Sequence, residues 1–393
     1  MAFHAPAELA KQEETVPARS VSCWNGWVVL RWALFGKAVF VLTAFACIEI
    51  WPLWELGAYE AMPHWPITGE ATLASRFATW DAALNLELAS SGYQAGHLSC
   101  TLFPLYPAII RITSQLSGLG IFVIALLWAN VLSLVGVILF HRLAWEMFGT
   151  STANTAVALL LTFPGAIFFN LPYAEGLLLV LITWFFLVLY RKQTWTACLL
   201  GTLLATASPF GLVCIAPLAW HIRAVQRSPA RVLMLYAPIG GWLAYFALLH
   251  CSVGSALAGI DPQRLHPGWL AISMTPSISD LFSAYINIDS LHSFQKSALD
   301  RFMFVSFLSL LPLIYGFDKR AFWYAVAAGT LPAVCGLFIG YCRHLTTCFP
   351  VFLALGLLVQ SPGRKWVRNL VLTSFAALQL FFLARYVNFL WAG

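Results

Sequence analysis

Long apolar stretches, separated by short polar breaks, run along almost the whole chain. Runs of roughly 18 or more apolar residues are the signature of membrane-crossing helices. The pattern predicts helices over 27–50, 119–141, 151–171 and 174–190, and later ones near 231–252, 301–316, 321–341, 346–360 and 370–391. The stretch from Trp195 to Trp220 reads as a helix pair broken at Ser208-Pro209, because proline interrupts the hydrogen-bond ladder. Alternating strands of barrel type are absent from the pattern. The expected fold class is therefore an all-α polytopic integral membrane protein with about ten to twelve membrane segments.

The polar stretches set the organisation. Residues 1–25 are polar and mixed in charge, and read as a cytoplasmic N-terminal tail. Residues 26–393 read as a single polytopic domain, with outer loops at about 52–118 and 253–300. The segment from Trp27 to Ile50 is too long for a signal-peptide core and lacks a small-residue cleavage site, so it reads as a retained first helix. Basic connections lie at Arg191-Lys192, from His221 to Arg231, at Asp318-Lys319-Arg320, and at Arg364-Lys365 with Arg368. Placing them all inside puts Asp81, the turn from Asn170 to Glu175 and the Ser208-Pro209 break at the outer face. Arg343-His344 then falls outside, against the positive-inside rule. A cation there calls for a specific anionic partner; the alternative is an arginine snorkelling to headgroups.

Composition supports the membrane class. The chain is 60% hydrophobic and only 10% charged, with a mean hydropathy of +0.79. Seventeen tryptophans and twelve tyrosines suit interfacial belts. The net charge of +6 includes no dense basic run, which argues against a nucleic-acid partner. The nine cysteines form no CxxC pair. Cys100, Cys342 and Cys348 fall near the outer face, where a disulfide among them is a weak option. The nine histidines form no HExxH, so no metal site and no cofactor are expected.

With few carboxylates available, those beside a bilayer carry weight. Asp81 follows Trp80 directly, and Gly92-Tyr93 and the Phe103-Pro104-Leu105-Tyr106-Pro107 block come next. Capping of an interfacial helix is the structural alternative for Asp81. Glu175 has the same two readings: a first-turn acid, or a group that works with Tyr173 to position a substrate. Asp261, Asp280, Asp289 and Asp300 in the outer loop read mostly as solvated surface acids. An acid, a cation and an apolar surround at one face suit a reaction on a lipid phosphate.

These blocks resemble the PIG-V-like mannosyltransferases, the second mannosyltransferase of GPI-anchor assembly and its bacterial relatives. Trp80-Asp81, Gly92-Tyr93 and the Phe103 to Pro107 block match in order. Phe163-Pro164 through Pro172-Tyr173-Ala174-Glu175 resembles the family's Phe-Pro and Pro-Tyr-Ser-Glu segment. Ser208-Pro209-Phe210-Gly211-Leu212 resembles its Arg-x-x-Gly-Leu segment, without the arginine. Arg343-His344 with Phe349-Pro350-Val351-Phe352 resembles its Arg-Tyr and Phe-Pro-x-Phe segment, with histidine in place of tyrosine.

The resemblance implies a GT-C-type glycosyltransferase architecture in a multi-pass membrane protein. The length, without large inserted loops, points to a bacterial plasma membrane, with the ER membrane the expectation in a eukaryote. The resemblance implies inverting transfer of a hexose, mannose above all, from a polyprenyl-phosphate donor to a glycolipid or other glycan acceptor at the outer or luminal face. Asp81 is then the catalytic base, and Arg343 and His344 bind the donor phosphate. Trp80, Tyr93, Tyr106, Tyr173 and Glu175 position substrate. A lipid or solute transporter, and a non-catalytic membrane subunit of a glycosylation complex, remain the competing classes.

Overall fold

The computed structural model describes residues 24–51, 59–60, 62–225, 234–260, 282–283, 285–294, 296–334 and 338–393. Residues 1–23 of the N-terminal tail, Asp261 and Asp280 lie outside the described residues. Within them the chain is helical, with no strand and only isolated bridges. The all-helical class expected from the apolar pattern is what the structure has.

Helix α1 (Gly26–Ile50) starts at Asn25, whose side chain accepts the Trp27 N–H at 3.0 Å. Two short helices, α2 (Leu73–Phe77) and α3 (Asp81–Ser91), occupy the following loop with the amphipathic α4 (Leu105–Ser117). The stretch expected as the first outer loop thus carries three α-helices among its described residues. Next come α5 (Ile121–Phe148), α6 (Thr150–Thr162), α7 (Glu175–Tyr190) and α8 (Thr194–Ala207). The later helices are α9 (Ile215–Val225), α10 (Ala237–Val253), α11 (Ala298–Phe317) and α12 (Lys319–Val334). The last are α13 (Tyr341–Thr347), α14 (Phe349–Val359) and α15 (Lys365–Val387).

Among the described residues, four helices are long and apolar enough to cross a membrane. Counting two bent pairs as single spans gives up to six, below the ten to twelve expected from the sequence. Three shorter apolar helices, α7, α8 and α10, lie beside them. One bent pair corrects the expected helix over 151–171. It stops at Phe163, because Pro164 pushes the preceding residue to an extended conformation. The chain turns by 80° into a buried 3₁₀ segment, Pro164–Asn170. The second bend, also 80°, separates α13 from α14 just ahead of Pro350. The break expected at Ser208-Pro209 is present: α8 ends there, and a 3₁₀ segment, Pro209–Cys214, leads into α9.

Irregular backbone at this depth needs internal partners. Lys37, halfway along α1, supplies several. Its ammonium lies 2.8 Å from Asn130 Oδ1, 2.8 Å from Ser133 Oγ, 3.1 Å from Asn170 Oδ1 and 3.2 Å from the Phe169 carbonyl. The end of the Pro164–Asn170 segment is thereby tied to both α1 and α5. The Gln379 amide on α15 donates to the carbonyls of Leu161 and Phe163 on the near side of the break; the Phe163 carbonyl also accepts the Ala166 N–H at 2.9 Å.

Helix α7 gives the molecule its polarity. Its first residue is Glu175, and its far end joins a basic cluster. Arg191 pairs with Glu146 at 2.8 Å, and Lys192, Lys319 and Arg320 line one cavity with Trp220. Glu175 and two of the basic connections, Arg191-Lys192 and Lys319-Arg320, therefore sit at opposite ends of α7. Helix α7 reaches α5 closely through Gly176. A Cβ added there would meet the Ser133 nitrogen at 2.9 Å and the Ala129 carbonyl at 3.1 Å.

Gly176→Ala should therefore cost about 1–3 kcal/mol, the usual penalty of overpacking. Gly36 on α1 has open space where a Cβ would go. Gly36→Ala should leave stability level or slightly raised. Thermal unfolding of both variants in one detergent checks the contrast.

Candidate active site

Asp81 owes its place to the residue before it. Trp80 has φ +58°, a strained conformation for a side-chain-bearing residue, and stands just ahead of α3. Its N–H donates to the Pro63 carbonyl at 2.9 Å, and Trp65 N–H donates to the Ala78 carbonyl at 2.9 Å. The Thr79 carbonyl accepts hydroxyls from both Tyr173 and Tyr386, at 3.1 and 3.2 Å. Burial holds the Tyr173 phenol well above its usual range, so it serves as a neutral donor. This braced turn delivers Asp81 into the first turn of α3, where a carboxylate also suits the helix dipole.

Arg343 comes from α13 and reaches two carboxylates. Its Nη1 lies 2.7 Å from Asp81 Oδ2, and its Nε lies 3.2 Å from Glu175 Oε1. The guanidinium carbon sits 5.4 Å from the Tyr173 ring centre and 5.7 Å from that of Phe168. The side chains of Arg343 and Glu175 are 11% and 9% exposed, whereas that of Asp81 is 36% exposed. Arg343 Nε and Glu175 Oε2 are both buried without a hydrogen-bond partner. One cation thus faces two anions.

The backbone under Arg343 is pinned from two sides. Asp300 Oδ1 accepts the Cys342 N–H at 3.0 Å. Gly165 packs against Thr346 and the Cys342 carbonyl so closely that a Cβ would strike both. Asp300 is fully buried, which corrects its reading as a solvated loop acid. Asp289 does lie at the surface, 3.7 Å from Lys296. Cys100, Cys342 and Cys348 are free thiols and form no disulfide.

These groups open onto a cavity of about 820 Å³. Trp80, Asp81, Tyr173, Glu175, Arg343 and His344 all line it, as do Ser208 and Pro209. His344 meets Phe210 edge-on at 5.3 Å between ring centres. Most of its lining is apolar, with Leu204, Ile215, Ala328 and Leu331 among the residues that form it. At the Asp81 end stand three rings from distant parts of the chain. Trp391 is 4.7 Å from Trp80 and 4.6 Å from Phe294, centre to centre. Phe294, Trp391 and Asn85, which also lines the cavity, carry no motif in the sequence.

Tyr93 and Tyr106, expected to position substrate, do not line this cavity. Tyr93 donates to the Leu102 carbonyl at 2.8 Å and packs edge-on against Tyr245. Tyr106 is buried and donates to the Ala125 carbonyl at 3.1 Å, tying α4 to α5. Their hydroxyls hold the loop scaffold.

The chain matches no family model and no curated protein. Two solved structures are similar to it. One is the crystal structure of ArnT from Cupriavidus metallidurans in the apo state, with 14% identity and a TM-score of 0.48 over 91% of this chain and 68% of that one. The other is the crystal structure of the Archaeoglobus fulgidus oligosaccharyltransferase in the apo form, with 11% identity and a TM-score of 0.46 over 94% of this chain and 57% of that one. Neither likeness fixes a reaction.

The clamp on Cys342 gives a direct test. Asp300→Leu strands a buried N–H and should cost about 1–3 kcal/mol. Asp300→Asn keeps an oxygen acceptor and should cost less. Thermal unfolding of the two variants side by side reads the difference.

Proposed function

We propose that this chain is an inverting, GT-C-type membrane glycosyltransferase. It moves a hexose, mannose by the motif resemblance, from a polyprenyl-phosphate donor to a hydroxyl of a glycolipid or other glycan. The reaction takes place at the outer or luminal face of the membrane, a bacterial plasma membrane in the first instance. The observation that carries the reading is the Asp81–Arg343–Glu175 cluster at the mouth of a largely apolar cavity. The apolar lining suits a lipid chain, and the charged end lies where a phosphate would arrive.

The chemistry follows from the two charges. The acceptor oxygen attacks the anomeric carbon from the face opposite the phosphate. The bond from that carbon to the phosphate oxygen breaks, its electron pair leaves with polyprenyl phosphate, and the acceptor proton passes to Asp81. Attack from the opposite face inverts the anomeric centre. A phosphate leaving group needs charge stabilisation more than a proton, and Arg343 supplies it through a planar fork of donors. His344 lines the cavity beside it. Asp81 is the partly exposed carboxylate of the pair and so the one able to meet a substrate hydroxyl. Glu175 and Tyr173 hold Arg343 from below.

The decisive assay is reconstituted transfer from labelled polyprenyl-phosphate mannose to a panel of glycolipid acceptors. Arg343→Lys should lose part of the activity, because a point charge replaces a fork. Arg343→Ala should lose nearly all of it. Asp81→Asn should lower turnover by about 10²–10⁴-fold, the usual worth of a positioned base. Equal, mild effects of both Arg343 changes would reduce it to a headgroup anchor.

A further inference from the structure

We propose that Asp81 is held by Arg343 until the donor phosphate takes its place, so that the base is released only in the donor complex. This inference rests on the glycosyltransferase reading and concerns how that same site is switched on. Its starting point is a mismatch in the cluster: a single guanidinium serves two carboxylates, and they hold it unequally.

Glu175 is built to stay. Its side chain is 9% exposed. It opens α7, whose next residue, Gly176, is wedged against the α5 backbone. Arg343 is also built to stay. Asp300 clamps the amide before it, Gly165 packs under it, and the Phe168 and Tyr173 rings flank its guanidinium. Asp81 is the more exposed member. Its side chain is 36% exposed and borders the cavity, and its link to the cluster is the 2.7 Å contact to Nη1. An anion entering the cavity therefore competes with Asp81, not with Glu175, for the guanidinium.

The competition has a chemical consequence. A carboxylate oxygen turned onto a guanidinium is not placed to accept a proton from a substrate hydroxyl, since a general base must lie within hydrogen-bond reach of that proton. Phosphate offers Arg343 a charge-assisted partner at least as good as a carboxylate. Once the phosphate occupies Nη1, repulsion between two anions moves Asp81 away, towards the acceptor side of the cavity. The acceptor oxygen then bonds to the anomeric carbon, the carbon–phosphate-oxygen bond breaks, and the acceptor proton goes to Asp81. When polyprenyl phosphate leaves and Asp81 loses its proton, the ion pair forms again. The donor therefore binds first.

The exchange predicts how donor binding changes when the charge of Asp81 is removed, and binding that does not tighten excludes it. Breaking the Asp81–Arg343 pair is part of donor binding, so removing the charge of Asp81 should strengthen that binding. Purified full-length Asp81→Asn should bind polyprenyl phosphate about tenfold more tightly than wild type, the worth of a charged contact that no longer has to be broken. Its transfer rate should fall at the same time. Asp81→Ala, with no amide left to hold Arg343, should shift binding in the same direction. Equal or weaker binding in these variants would overturn the exchange.

Wild-type initial rates over donor and acceptor concentrations give a second reading that needs no variant. An ordered mechanism with donor first supports the exchange, and random order overturns it. Wild type that neither binds polyprenyl phosphate nor transfers hexose would refute the transferase reading itself. Wild type that does both, while the Asp81 variants bind no more tightly, would refute the exchange alone.

Discussion

A buried guanidinium between two carboxylates is the constraint around which this molecule is arranged. Removing Arg343, Glu175 and Asp81 from water is costly, and only close pairing offsets the cost. The pairing is incomplete, since Glu175 Oε2 and Arg343 Nε keep no hydrogen-bond partner. A cluster built for stability alone would be neutral and satisfied. This one sets a single guanidinium against two carboxyl groups and opens to a cavity, which suits a site that exchanges one anion for another.

The cluster needs three parts of the chain to meet, and each arrives on a broken or strained element. Asp81 follows the positive-φ Trp80. Glu175 follows the 3₁₀ segment that succeeds the break at Phe163-Pro164. Arg343 sits on the short helix before the second 80° bend. Straight helices would carry these side chains past one another. The breaks leave backbone carbonyls and amides without helical partners, and polar side chains elsewhere take them up. Lys37 reaches the Phe169 carbonyl, Gln379 the Leu161 carbonyl, and Asp300 the Cys342 amide. A lysine in the middle of an apolar helix thus has a structural reason: it holds the segment on which Glu175 depends.

Much was legible in the chain itself. Apolar runs located the helices, with the ends of Gly26–Ile50, Glu175–Tyr190, Ala298–Phe317 and Phe349–Val359 within three residues of expectation, because continuous apolar length marks a buried helix. Ser208-Pro209 marked a true break, because proline lacks the amide that the helix needs. The charge rule singled out Arg343 as a cation on the wrong side, and the anionic partners it called for are Asp81 and Glu175 of the same chain. Trp80, Asp81, Tyr173, Glu175, Arg343 and His344 do meet at one cavity.

Other features were decided only by the tertiary structure. Tyr93 and Tyr106 sit in motif-like blocks, yet a tyrosine that binds substrate and one that braces a loop look alike until the partner carbonyl is known. Asp300 was one loop acid among four; its burial beneath Cys342 follows from packing between segments far apart in sequence. Phe294 and Trp391 carried no signal, since an aromatic residue in an aromatic-rich chain means little alone. The sequence by itself determined that the chain is helical and apolar and drew attention to a few charges, because those follow from local composition and length. Which of those charges touch, which one is left exposed and which rings surround them depended on where the chain breaks and folds back, and that is a property of long-range packing.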